Sequence, residues 1–247
     1  EDDARAEHDR RDGPPRLWRA VAQVRSRARG CSRVRCVLGV DGIPATLPAS
    51  PTAIGSFSPS QRMKRGIEDL LAGNGYSEAI TWSFTSEQAL AKLAPGGELP
   101  GERLTIANPL SEEQSVMRPL IVGGLLEVAK HNFARGADAV RIFEVGTVYG
   151  GTISEPREHS TLALLLSGPS RSASWGEGAP IGGDFFALKG VLEAIAANVG
   201  VEIGFAPLTG EHPYLIPGRS ASLIVDGQIA GYLGEIHPLV AKAHDID

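Results

Sequence analysis

Three charged side chains sit in contexts too constrained for ordinary surface residues. They are Arg118 in "VMRP", Arg219 in "IPGRS" and Glu144 inside the apolar run "RIFEVGTVY". A guanidinium offers a planar fork that grips a phosphate or carboxylate through paired hydrogen bonds, and a structural ion pair uses the same fork. Both readings stand for Arg118 and Arg219. Glu144 is either a buried functional acid or a strand carboxylate held by a neighbouring arginine or backbone amide. Gly123-Gly124 precedes a helical pattern and has two uses, an anion seat at the amino end of the helix or close backbone packing. His237 and His244 are seven residues apart with no carboxylate spaced to complete a metal site, so they read as capping or solvated histidines. Cys31 and Cys36 are the only cysteines. Zinc needs about four ligands, and no further Cys or His cluster lies near them, so they read as free thiols of a reducing compartment. Phosphate-loop, dinucleotide-loop, nucleophile-elbow and H-E-x-x-H patterns are all missing.

The elements that must position these residues follow from periodicity. Ser58-Pro59 opens a helix whose apolar face is Met63, Ile67, Leu70 and Leu71, stopped at Gly73 and Gly75. "EAITWSF" (78–84) alternates as a strand, followed by a short helix near 86–93 and a strand "RLTIA" (103–107). The polar loop "NPLSEEQSVMRP" (108–119) leads to a helix over 125–135. "RIFEVGTVYGG" (141–151) and "TLALLLSG" (161–168) are strands, the second apolar enough to be central in a sheet. Asp184 caps a helix that closes at Gly200, and Asp226-Gly227 between apolar runs predicts a tight hairpin. Pro238 starts a last helix. The hairpin and short connections favour α+β, with helices packed on an antiparallel β-sheet of about six or more strands.

Bulk properties narrow the function classes. With 42% hydrophobic and 21% charged residues in 247, the chain can bury a sizeable core. A net charge of −5 opposes strong charge-driven binding to nucleic acid. No apolar run reaches a membrane span, and "EDDARAEHDRR" lacks the apolar centre of a signal peptide. Residues 1–36 are a basic, unpatterned segment, with seven arginines and no acid between Arg16 and Arg35. Three readings apply: a phosphate-touching arm, disorder, or a stretch read out of its natural frame. Residues 37–57 read as an extended connector, and 58–247 as the core, truncated at its carboxyl end.

Five blocks in this order resemble one family: "GVDGIPATLP", "QRMKRGIEDLLAGNGYSEAITWSF", "NPLSEEQSVMRPLIVGGLLEVAKHNFARGADAVRIFEVGTVY", "DFFALKGVLEAI" and "PYLIPGRSASLIVDGQIAGYLGEIHPLVAKAHDID". Together they are similar to the beta subunit of bacterial-type phenylalanyl-tRNA synthetase. The resemblance implies a class II aminoacyl-tRNA synthetase-like core. It also implies a partner, the alpha subunit, in a cytoplasmic alpha-two beta-two heterotetramer that uses ATP and Mg²⁺ to attach phenylalanine to its tRNA. In active class II enzymes a strand like "FEVGTVY" is followed by an arginine on the ATP α-phosphate and then by an acid. Gly150, Gly151 and Thr152 stand at those places. After "RP" many such sites carry a Glu for the amino-acid ammonium, where this chain has Leu120. Losing one preorganised donor costs on the order of 3–4 kcal/mol in the transition state, so a catalytically inactive domain is implied. No ATP or Mg²⁺ is expected on this chain itself. The family's Mg²⁺ carboxylates fall at Arg29, Ser32 and Arg33 here, and arginine supplies no oxygen ligand. Cys36 and Val40 also depart from the usual Arg and Tyr. A one-base frame error upstream of about Val37 would explain an arginine-rich, patternless stretch abutting a well-matched one. The rival reading is a stand-alone synthetase-derived binding or regulatory module.

Overall fold

A computed structural model of the chain describes residues 55–169, 182–208 and 212–246. Arg29, Ser32, Arg33, Cys31, Cys36 and the whole of the first 54 residues lie outside them. Helix α1, Pro59–Gly73, begins with a reciprocal cap. Gln61 N donates to Ser58 Oγ (3.2 Å) while Ser58 N donates to Gln61 Oε1 (2.8 Å), and Pro59 supplies a preset first turn. Its inward face is Ile67, Leu70 and Leu71. Met63, expected on that face, is 53% exposed, because the sheet contact begins only one turn later.

The central sheet is built from β1 (Ser77–Glu78), β4 (Val140–Gly151) and β5 (Pro156–Ser167). β1 runs parallel to β4, and β4 pairs antiparallel with β5 from Val140↔Ser167 to Gly151↔Pro156. Side chains alternate across it. Val140, Ile142 and Leu165 pack with Leu125, Leu126 and Ala129 of α3 (Val122–Phe133). Phe143, Val145, Leu162 and Leu164 pack with α1 and with α4 (Phe185–Val199). Two covered faces explain why "TLALLLSG" is apolar at every other position and between. In the strand order β5 is nonetheless an edge and not central.

Between these lie β2 (Phe84–Thr85), α2 (Glu87–Ala91) and β3 (Val116–Met117), with β2 antiparallel to β3. β6 (Ile203–Pro207), β7 (Leu215–Val225) and β8 (Gln228–Ile236) form a separate antiparallel sheet, followed by α5 (Pro238–Ala243). The β7–β8 turn is Asp226-Gly227 with φ of 48° and 75°, the doubly left-handed geometry of a two-residue hairpin. Asp184 caps α4 through Ala187 N (2.9 Å), and Gly200 ends it at φ 75°.

The architecture is α+β with antiparallel sheets flanked by helices, as expected, but the described strands form sheets of three, two and three and no sheet of six. Residues 79–83 change partners partway. Ala79 N donates to Phe143 O and Arg118 N donates to Ser83 O, so neither neighbour gets a continuous ladder. "RLTIA" contributes only the isolated bridge Thr105↔Val116, and Pro109 and Pro119 remove donors on either side of its partner. No helix among the described residues is long and apolar enough to cross a membrane.

Two outcomes check this packing. Leu125, with no exposed surface, should cost about 2–5 kcal/mol on change to Ala. Met63→Ala should stay within about 0.5 kcal/mol, both read by chemical denaturation. Burial, with Tyr232 adding to it, pushes the Tyr214 phenol from 10.0 up to about 12. The folded chain then holds that proton more tightly than the unfolded one. Its contribution is complete below pH 10 and is lost as pH climbs toward 12. Denaturation midpoints of Tyr214→Phe should therefore fall less steeply over that window than those of the parent chain.

Candidate functional site

The inward face of β4 carries one charged residue, Glu144, at the point where α3 and the segment after β1 converge. Arg118 reaches it from the end of β3. The Arg118 and Glu144 side chains are 6% and 5% exposed, and Arg118 Nη1 donates to Glu144 Oε1 at 2.7 Å. The same nitrogen donates to Thr81 Oγ1 (2.9 Å), and Thr81 Oγ1 donates to Glu144 Oε2 (2.6 Å). Arg118 Nε donates to Thr147 O at 2.8 Å. The main chain of Arg118 is also used, its N–H on Ser83 O (3.0 Å) and its carbonyl under Tyr149 N (2.9 Å). A closed ring of charge-assisted hydrogen bonds links the three side chains.

Two glycines exist to make room for this ring. A Cβ on Gly146 would overlap Arg118 Nη2 and sit 2.8 Å from Glu144 Oε1. A Cβ on Gly124 would sit 2.6 Å from Thr81 Oγ1. The Gly123-Gly124 pair is thus a place of close approach between α3 and the strand segment. Glu144 meets a guanidinium whose Nε and Nη1 are taken up by the ring and by the Thr147 carbonyl.

The remaining candidate residues are scattered. Arg219 and Glu235 form an exposed cross-strand ion pair at 2.9 Å on β7 and β8, in a sheet separate from Arg118. His237 Nδ1 accepts from Leu239 N (3.2 Å) and so caps α5. His244 is buried, with Nδ1 3.0 Å from Val240 O and Nε2 3.8 Å from Glu127 Oε1. Among the described residues no three His, Cys, Asp or Glu side chains group to hold a metal. Gly150 stands at the far end of β4 with nothing within 4 Å of a Cβ built there. Gly151 is different, since its φ of 82° and the nearby Glu155 carbonyl admit no side chain. Leu120 packs against the α3 core. Neither Gly150 nor Leu120 offers a nucleotide or an amino acid a polar partner.

Reasoning from sequence missed the residues opposite the ring. Along 79–84, Thr81 points inward, while Ile80, Trp82 and Phe84 are 88%, 75% and 39% exposed. Large apolar groups face solvent and small polar ones face the core, the reverse of a half-buried strand. They border a cleft of about 430 Å³ whose other wall is α3, with Leu120 and Val128 among its lining. The alternation was visible in "EAITWSF", but its phase was not. That phase is set by Thr81 bonding to residues 37 and 63 positions away.

Breaking the ring has a defined cost. Arg118→Ala should lose about 3–5 kcal/mol by stranding a buried carboxylate. Arg118→Met with Glu144→Leu should lose far less, and Gly146→Ala about 1–3 kcal/mol by overpacking, all measured by denaturant titration.

The model of the phenylalanyl tRNA synthetase beta chain CLM domain matches residues 43–247. Phenylalanine–tRNA ligase beta subunits are similar over most of the chain. The protein from Listeria monocytogenes is 36% identical over 94% of this chain and 28% of its own length. Those from Bacillus subtilis and Moorella thermoacetica are 34% and 38% identical over 84% of this chain and 26% of theirs. The Listeria match reaches into residues 1–36. The chain thus spans about a quarter of the length of these relatives. Among solved structures, a pyrrolysyl tRNA synthetase, PylSc from Desulfitobacterium hafniense, superposes with a TM-score of 0.55 at 18% identity, over 75% of this chain and 62% of that one. That likeness concerns the fold alone, a class II synthetase core. A match over four-fifths of the sequence, joined to relatives above 30% identity, makes the chain a member of the phenylalanyl-tRNA synthetase beta chain family.

Proposed function

We propose that the chain is a non-catalytic core of phenylalanine–tRNA ligase that supports the alpha subunit in ATP-dependent attachment of phenylalanine to its tRNA. The observation that carries this reading is the inverted strand face, on which Ile80 and Trp82 lie bare beside a cleft. Fully covering side chains of that size stabilises by about 1.5–3 kcal/mol each, and apolar patches rimmed by polar groups mark contact surfaces. The relatives carry the name of a beta subunit, whose natural complement is an alpha subunit.

The empty chemistry supports the same division of labour. Gly150 and Leu120 bring no donor or carboxylate to the end of β4, and Arg118 is engaged by Glu144. In this reading ATP and Mg²⁺ serve the alpha subunit, tRNA is bound through the complex, and the assembly is a cytoplasmic alpha-two beta-two heterotetramer. This chain contributes a binding face and no step of the reaction.

Co-expression with the cognate alpha subunit tests the assignment. The expected result is a co-purifying complex with phenylalanine-dependent pyrophosphate exchange, and no exchange by this chain alone. Trp82→Asp should abolish co-purification while leaving the melting temperature within a few degrees. Exchange by the isolated chain overturns the non-catalytic reading. A chain that stays monomeric or homodimeric beside the alpha subunit favours the stand-alone module.

A further inference from the structure

We infer that Thr81, Arg118 and Glu144 are positioning residues for subunit assembly, holding residues 79–84 in the one register that turns Ile80, Trp82 and Phe84 outward. The inference rests on the reading of that face as the alpha-subunit contact, and it assigns part of the docking affinity to the ring, of which Thr81 and Arg118 line the floor of the same cleft.

The need for such a device is local. Among the described residues, segment 79–83 has only two backbone hydrogen bonds, Ala79 N to Phe143 O (2.8 Å) and Arg118 N to Ser83 O (3.0 Å). One engages each end of the segment, on different partners, and its middle has no ladder. A strand whose register is weakly specified slips, and a slip of one residue moves every side chain to the opposite face. Thr81 is the middle residue, and its hydroxyl is the anchor. It donates to Glu144 Oε2 (2.6 Å) and accepts from Arg118 Nη1 (2.9 Å), so it closes the ring in both directions. A slip would bring Ile80 or Trp82 to that spot. Ile80 has no donor for Glu144 Oε2, and the Trp82 indole has one N–H but no acceptor for Arg118 Nη1 and is far larger than the hydroxyl seated beside Gly124.

The ring also fixes the depth of the strand. Thr81 sits against Gly124, where even a methyl group would approach to 2.6 Å, so the segment lies directly on α3. The cleft wall and the apolar face are therefore held at a set spacing by one small contact. Pre-ordering of this kind raises affinity because the free chain has less order to gain on binding.

The test uses the full chain with the cognate alpha subunit, reading the dissociation constant together with amide hydrogen exchange at residues 79–84 in the uncomplexed chain. Thr81→Val keeps the shape and removes the hydroxyl. It should speed exchange at 79–84 and weaken assembly by about tenfold or more, the equivalent of one hydrogen bond. Thr81→Ser keeps the hydroxyl and should restore both readings. Trp82→Asp should abolish binding with exchange unchanged. If Thr81→Val binds as tightly as the parent while Trp82→Asp does not, the positioning role is wrong and the docking face survives. If Trp82→Asp binds normally, the docking face is wrong and this inference falls with it. Equal loss in Thr81→Val and Thr81→Ser shows that restoring the hydroxyl does not restore assembly and overturns the hydroxyl's role. Glu144→Gln is the second probe should Thr81→Val fail to fold. Faster local exchange with weaker assembly upholds the inference, and no change in either defeats it.

Discussion

A guanidinium taken out of water must be neutralised and fully hydrogen-bonded, or the fold around it fails. Arg118 is held by Glu144 and the Thr147 carbonyl, both on β4, and by Thr81 on the segment after β1. Much of the surrounding sequence then follows. Glu144 must interrupt an otherwise apolar strand face. Gly146, one pleat further along, must lack a side chain, and Gly124 must let α3 settle against Thr81. The polar ring takes the place of a hydrophobic contact at the centre of the unit, and it gives a register that apolar packing alone would not.

The same arrangement separates stability from chemistry. The interior half of β4, Val140 to Val145, is where α1, α3 and α4 pack, and its far half runs out into a hairpin whose second strand is exposed from Pro156 to Ser160. A Cβ at Gly150 would touch nothing within 4 Å. A small change there would not disturb the core. Gly151, one residue on, is not free in this way, because its left-handed backbone closes the turn.

The legible parts of the fold were those decided within a few residues. The Ser58 box, the Asp184 cap, the Gly200 stop and the Asp226-Gly227 turn each depend on local backbone chemistry and appear where the sequence puts them. The single six-stranded sheet failed because its count relied on 79–83 and 103–107. Those segments alternate like strands but find only fragments of a partner. Glu144 and Arg118 were singled out by their odd surroundings, yet their pairing across 26 positions was invisible, as was the third member, Thr81, an unremarked threonine in a β-former run.

That third member explains why the outward face could not be read. A strand written A-I-T-W-S-F offers two phases, and hydrophobicity alone favours Ile, Trp and Phe inside. Nothing within the segment opposes that choice. The opposing force comes from Glu144 and Arg118, two buried charges that need a small hydroxyl between them and have no use for an indole. Satisfying them sets the phase and leaves apolar surface exposed, at about 1.5–3 kcal/mol for each large side chain fully uncovered. The exposed strip is therefore a consequence of the buried ring. A chain that retains the ring retains Ile80 and Trp82 on the outward face.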